Sequence, residues 1–141
     1  MKAILIKLAI PAIFLTTVGN TGEELKKSRP ELLVEHEWVL QTYGTDRNGD
    51  GVIGREEEMI QDCERDNSYV FGRNGGATYY DNAMHCGGPS EQTLSWALVN
   101  HDNSISLQFG NLDILQLSRT ELILRTYNGM ISVFRSYSSG E

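Results

Sequence analysis

Ser68-Tyr69-Val70-Phe71-Gly72-Arg73-Asn74-Gly75-Gly76-Ala77-Thr78-Tyr79-Tyr80 is the stretch on which the fold of this chain turns. Aromatic and β-branched residues fill both arms, the composition of paired strands. Asn-Gly between such arms is a strong hairpin signal, because a two-residue type I′ turn needs φ > 0 at both central positions. Centred on Asn74-Gly75, that turn sets Phe71 opposite Thr78 and Tyr69 opposite Tyr80. Carried outward, the same ladder sets Cys63 opposite Cys86. They are the only two cysteines, and an even count in an exported chain reads as one disulfide.

Similar runs lie on both sides of this hairpin. Residues 36–43 read as a strand centred on Trp38 and Leu40. In 93–99, Leu94, Trp96 and Leu98 share one face; in 104–109, Ile105, Leu107 and Phe109 do. Runs 112–117, 121–127 and 130–137 complete the chain. A second Asn-Gly, Asn128-Gly129, joins the last two and sets Leu124 opposite Val133 and Ile123 opposite Phe134. Short strands at near-regular spacing, with turn residues between them, predict an all-β fold. The expected architecture is an eight-stranded antiparallel up-and-down barrel. Closure removes the two exposed edges of a flat sheet. Eight strands leave an interior filled by side chains or holding one small ligand.

The remaining segments bound the organisation. Residues 1–19 combine Lys2 and Lys7 with an apolar run from Ala3 to Leu15 and small residues at Thr17 and Gly19. That pattern predicts a secretory signal peptide, too short for a good membrane span. Residues 20–31 read as a flexible linker, and 32–138 as one domain. Export then places the protein in the periplasm or outside the cell, with no stable membrane insertion after cleavage. The formal net charge is −7, which argues against nucleic acid as a partner.

Residues 46–57 carry a second signal, Asp46-Arg47-Asn48-Gly49-Asp50-Gly51-Val52-Ile53-Gly54-Arg55-Glu56-Glu57. They match the calcium-loop pattern D-x-[DN]-x-[DN]-G-x5-E at every required position. Asp46, Asn48 and Asp50 offer side-chain oxygens, Val52 its carbonyl, and Glu57 a bidentate carboxylate. The expected cofactor is Ca²⁺. Only one such loop is present, and a strand rather than a helix leads into it.

Several residues in order then resemble a known family: Glu37-Trp38-Val39-Leu40, Asp62-Cys63-Glu64-Arg65-Asp66-Asn67, Tyr69-Val70-Phe71, Cys86 and Leu94-Ser95-Trp96-Ala97-Leu98. Ile105-Ser106-Leu107, Ile114-Leu115-Gln116-Leu117 and Glu121-Leu122-Ile123-Leu124 follow. The chain resembles the small bacterial lipocalin-like domains, secreted or surface proteins common among Bacteroidota, with an EF-hand-like calcium loop inserted. The resemblance implies a calyx-type barrel, no catalytic activity and a small apolar ligand. Many members carry a lipid-anchor cysteine after the leader; this sequence has none there.

Nothing in the sequence nominates catalysis. The three histidines, His36, His85 and His101, are not at metal-ligand spacing, and no nucleophile elbow or phosphate loop occurs. Trp38 reads as a core residue plugging the closed end of a small barrel. Tyr69, Phe71, Tyr79, Leu98, Leu107 and Phe109 are the candidate ligand contacts. Three functions are consistent with these residues. One is a module holding a small hydrophobic ligand, with a calcium-stabilised loop. The second is a filled barrel binding a protein or glycan partner. The third is a calcium-responsive protein of EF-hand type.

Overall fold

The structure is a computed structural model, and it describes residues 26–137. The predicted signal peptide (1–19) and the first part of the linker lie outside the described residues. A short helix comes first, α1 (Arg29–Glu35), followed by β1 (Glu37–Thr45). After the excursion 46–67 come β2 (Ser68–Phe71), β3 (Gly76–Tyr80), β4 (Glu91–Val99) and β5 (Ser104–Leu107). Then β6 (Gly110–Leu117), β7 (Glu121–Arg125) and β8 (Met130–Tyr137) complete the set. Each strand pairs antiparallel with the next, and β8 pairs with β1 to close the barrel. The predicted eight-stranded up-and-down barrel is the observed fold.

Both hairpin registers differ from prediction by one residue. Tyr69 faces Tyr79 and Phe71 faces Ala77, while Leu124 faces Ser132 and Ile123 faces Val133. The cause is the turn. Gly75 has φ +82° and Gly129 φ +84°, but neither Asn74 nor Asn128 has positive φ, as a type I′ turn requires. The N–H of Gly72 bonds the Gly76 carbonyl at 2.7 Å, and that of Gly75 the Gly72 carbonyl at 3.2 Å. Thr126, Gly129 and Met130 repeat these two bonds. Both turns are therefore three-residue loops with glycine at the left-handed position. Cys63 and Cys86 do form the disulfide, but outside the ladder. Cys63 sits on a single 3-10 turn (Asp62–Glu64), so the bridge staples two loops rather than two strands.

The linker prediction also ends too late, because Arg29, Pro30 and Glu31 are helical. Pro30 lies in the first turn, where its missing N–H costs nothing, and Glu31 accepts the Ser28 N–H at 2.8 Å. The helix is amphipathic enough to bury Leu33 fully. It packs against β2 and β6 and closes one end of the barrel. Arg29 ties it to the β4–β5 turn, donating to the Asp102 carbonyl at 2.7 Å and to Asn103 Oδ1 at 3.0 Å. Trp38 lies directly beneath, 0% exposed, with its indole N–H on the Leu33 carbonyl at 3.0 Å. Burial of the whole indole with its one donor satisfied makes Trp38 the plug that the sequence suggested.

At the other end β1 outruns β2. Its ladder with β2 covers only Glu37 to Val39, while its ladder with β8 runs to Thr45. The excursion covers part of the edge thus exposed. Leu40 N–H bonds the Asn67 carbonyl at 2.8 Å, Met59 N–H bonds the Tyr43 carbonyl at 2.8 Å, and Gly44 bridges Glu58. An unpaired strand edge is a liability, and here the loop pairs with it. Gly44 permits the approach: a Cβ there would stand 2.0 Å from the Glu57 carbonyl oxygen.

Candidate functional site

The barrel interior above Trp38 holds two adjoining cavities. The deeper one is about 170 Å³ and mostly apolar. Trp38 forms its floor; Phe71, Leu107, Leu112, Leu122 and Leu124 line its sides. The second is about 380 Å³ and more polar, bounded by Leu40, Tyr43, Glu64, Asn67, Tyr79 and Gln92. Tyr69, Phe109, Ser132 and Phe134 line both. Engineered apolar cavities of roughly 150 Å³ stay dry and take up benzene. Taken together the two spaces fall within the roughly 300–1,000 Å³ of small-molecule sites.

An aromatic frame stands between the two spaces. The Tyr69 ring lies 5.2 Å from Tyr79, 5.8 Å from Phe134 in an edge contact, and 6.4 Å from Phe71. Phe71 in turn meets Trp96 edge-on at 5.2 Å. Burial pushes the Tyr69 phenol up to about 12, helped by the neighbouring Tyr79. The phenol is therefore neutral throughout the physiological range.

The polar space has its own network. Tyr43 donates to the Glu64 carboxylate, 3.1 Å to Oε2, and that oxygen also accepts the Gln61 N–H at 2.8 Å. Asn67 Nδ2 donates to the Tyr79 hydroxyl at 2.7 Å. Asn67 is 3% exposed, and its Oδ1 is buried with no hydrogen-bond partner. Burial raises the Tyr43 and Tyr79 phenols, and nearby carboxylates add to it: Glu64 for Tyr43, Asp81 and then Glu64 for Tyr79. Behind this network the Cys63–Cys86 bridge joins the two loops of the open end, and buried Asp81 accepts the Cys86 N–H at 3.1 Å.

Of the predicted contacts, Tyr69, Phe71, Leu107 and Phe109 line the apolar cavity, and Tyr79 the polar one. Leu98 lines neither and is a correction. It faces Ile105 near the α1-capped end, below the cavities, and packs into the core there. Phe109 is not inward on a strand as expected. It sits in the β5–β6 turn, 66% exposed, at the edge of both spaces.

Asn67, Tyr43, Glu64 and Gln92 were not foreseen. For Tyr43 the reason is a bulge. The β1–β8 register shifts between Leu40 and Thr42, so Gln41 is the extra residue and the alternation inverts after it. Strict alternation from Trp38 and Leu40 puts Thr42 inside; the bulge brings Tyr43 to the cavity instead.

Loop 46–57 lies beside the open end. Asp46 Oδ2 accepts the Gly51 N–H at 2.8 Å, Asn48 Oδ1 the Asp50 N–H at 2.9 Å, and Asp50 Oδ1 the Val52 N–H at 2.8 Å. Glu57, 8% exposed, reaches back with Oε1 on the Arg47 N–H at 2.8 Å and Oε2 on the Gly54 N–H at 3.1 Å. The carboxylates thus turn inward on the loop's own amides. Among the described residues no three His, Cys, Asp or Glu side chains gather as a metal-holding group. A strand leads into the loop, and only turns and an isolated bridge follow it.

The family model of the lipocalin-like domain matches residues 34–124, more than half of the chain. The chain belongs to the lipocalin-like domain family. Among solved structures, a lipocalin-like protein from Bacteroides uniformis is similar, with a TM-score of 0.53 and 18% identity. The alignment covers 75% of this chain and 99% of that one. An uncharacterized protein from Bacteroides eggerthii aligns with a TM-score of 0.47 and 18% identity over 72% of this chain and 98% of the other. At such identity the first likeness speaks for the fold. No curated protein matches.

Proposed function

We propose that this lipocalin-like domain is a non-catalytic binding protein that holds a small, largely apolar molecule inside its barrel. The observation that carries this is the apolar cavity of about 170 Å³ above Trp38, which opens toward a wider polar space. An interior filled by side chains would favour a purely structural role, and this one has room. The disulfide supports an oxidising compartment, periplasmic or extracellular. The test is uptake of a hydrophobic fluorescent probe such as N-phenylnaphthylamine, with Leu107→Trp as the variant that fills the cavity. Probe fluorescence rises with the unaltered protein and falls away with the variant, while the melting temperature is kept. Equal uptake by both would place the probe elsewhere and count against an interior site.

We infer further that loop 46–57 takes up Ca²⁺ through Asp46, Asn48, Asp50, the Val52 carbonyl and Glu57. Its support is the complete sequence pattern and the inward carboxylates of Asp46 and Glu57. Single extracellular sites of this kind bind at roughly 10⁻⁴–10⁻³ M. Calorimetric titration of the protein with calcium checks it. Saturable heat absent from Glu57→Ala supports the site, and no heat at ~5 mM calcium would refute an affinity in that range.

A further inference from the structure

The polar upper space has a chemistry of its own, and it selects among apolar molecules. Its lining carries a carboxylate, amide and hydroxyl groups, and aromatic rings. Asn67 is almost fully buried, its amide N–H₂ is engaged by Tyr79, and its Oδ1 is left without a donor. A buried acceptor left unpaired is costly and adds to the negative potential of the wall around this space. Among the described residues, Glu64 is the only charged side chain lining either cavity. Tyr43 and the Gln61 amide already bond its carboxylate, which still has lone pairs to offer. The rings of Tyr69, Tyr79 and Phe134 stand around the same space. Aromatic faces attract cations through their quadrupole.

We infer that the cargo of the barrel is a primary amine on an apolar body, its ammonium held between the Glu64 carboxylate and the tyrosine rings. This deepens the reading of the barrel as a carrier and rests on it. A carboxylate head, as in a fatty acid, meets Glu64 as a like charge and finds no cation among the lining residues. An alcohol can donate to the Glu64 carboxylate but brings no charge to pair with it. A quaternary ammonium meets the rings and the carboxylate but brings no N–H to donate. The influence of Asp81, Glu64 and Asp66 on the Tyr79 phenol, each raising it, marks the space as electronegative.

The test is a matched series at pH 7: phenylbutylamine, phenylbutanol and phenylbutyrate, each titrated calorimetrically into the full chain. The phenyl group is close to the size that the apolar cavity admits. The amine binds about tenfold tighter than the alcohol, as a charge-assisted bond predicts, and the carboxylate binds weakest. Glu64→Gln brings the amine to the level of the alcohol. The ranking on the unaltered protein stands whether or not the variant folds. Amine and alcohol binding equally, or the carboxylate binding best, overturns the inference while the carrier reading survives. No binding by any of the three overturns both.

Discussion

The two ends of the barrel are held by different forces. At the closed end, Leu33 and Trp38 are both fully buried, and one hydrogen bond satisfies the single polar atom of the indole. At the open end, stability comes from a disulfide, a strand edge covered by a loop, and hydrogen bonds among Tyr43, Glu64, Asn67 and Tyr79. Burial is non-directional and leaves no group for a ligand. Polar ties are directional, and a network with one acceptor still free is a binding surface in waiting. The difference teaches that apolar burial anchors the end below the cavity, while directional polar ties hold the end above it.

Four measurements break or sharpen that contrast. The largest effect is expected from Trp38→Ala, which removes the plug and costs about 3–5 kcal/mol in urea unfolding. A loss under 1 kcal/mol would mean that the closed end is not the anchor. Replacing Cys63 and Cys86 together by alanine frees the open-end loops. Two residues separated by 23 positions close a loop worth about 3 kcal/mol in the chain-entropy model. The barrel should stay folded at room temperature, with a lower thermal midpoint and unchanged near-UV signal from the tryptophans.

A third effect is alkaline. The Tyr69 phenol is raised from 10.0 to about 12, so the folded state holds its proton more tightly than the unfolded chain. That stability is complete below pH about 10 and is lost as pH rises from about 10 through 12. The loss is on the order of 2 kcal/mol. Tyr69→Phe should make this limb shallower, leaving the part that the raised Tyr43 and Tyr79 phenols carry. An unchanged alkaline slope would show that other tyrosines carry it. The smallest effect is expected from Gly44→Ala, whose new Cβ meets the Glu57 carbonyl. The Glu57 backbone must shift to admit it, at a cost of about 1–3 kcal/mol. Faster amide exchange at Met59, with the β7–β8 ladder still protected, is the signature that separates the loop from the barrel.

Much of the candidate site could be read in advance, for a particular reason. Tyr69, Phe71, Leu107 and Tyr79 lie on strands, where alternation assigns faces once strand identity is known. The residues that give the polar space its chemistry do not obey that rule. Tyr43 follows a bulge at Gln41, while Glu64 and Asn67 stand in the last part of the excursion, just before β2. Leu98 obeys the alternation yet sits too low, because height in the barrel depends on shear.

What local chemistry alone determined here is the set of strands, their antiparallel succession and the pairing of the two cysteines. Hydrophobic alternation and turn residues act over a few positions, and one short segment carries each signal in full. Tertiary structure alone decided the one-residue registers, since glycine in the left-handed position serves two-residue and three-residue turns alike. It also decided where β1 bulges, how high each side chain stands, and that Asn67 keeps an unpaired oxygen inside the wall. Those outcomes depend on closing eight strands at once, and no stretch of sequence contains the whole ring.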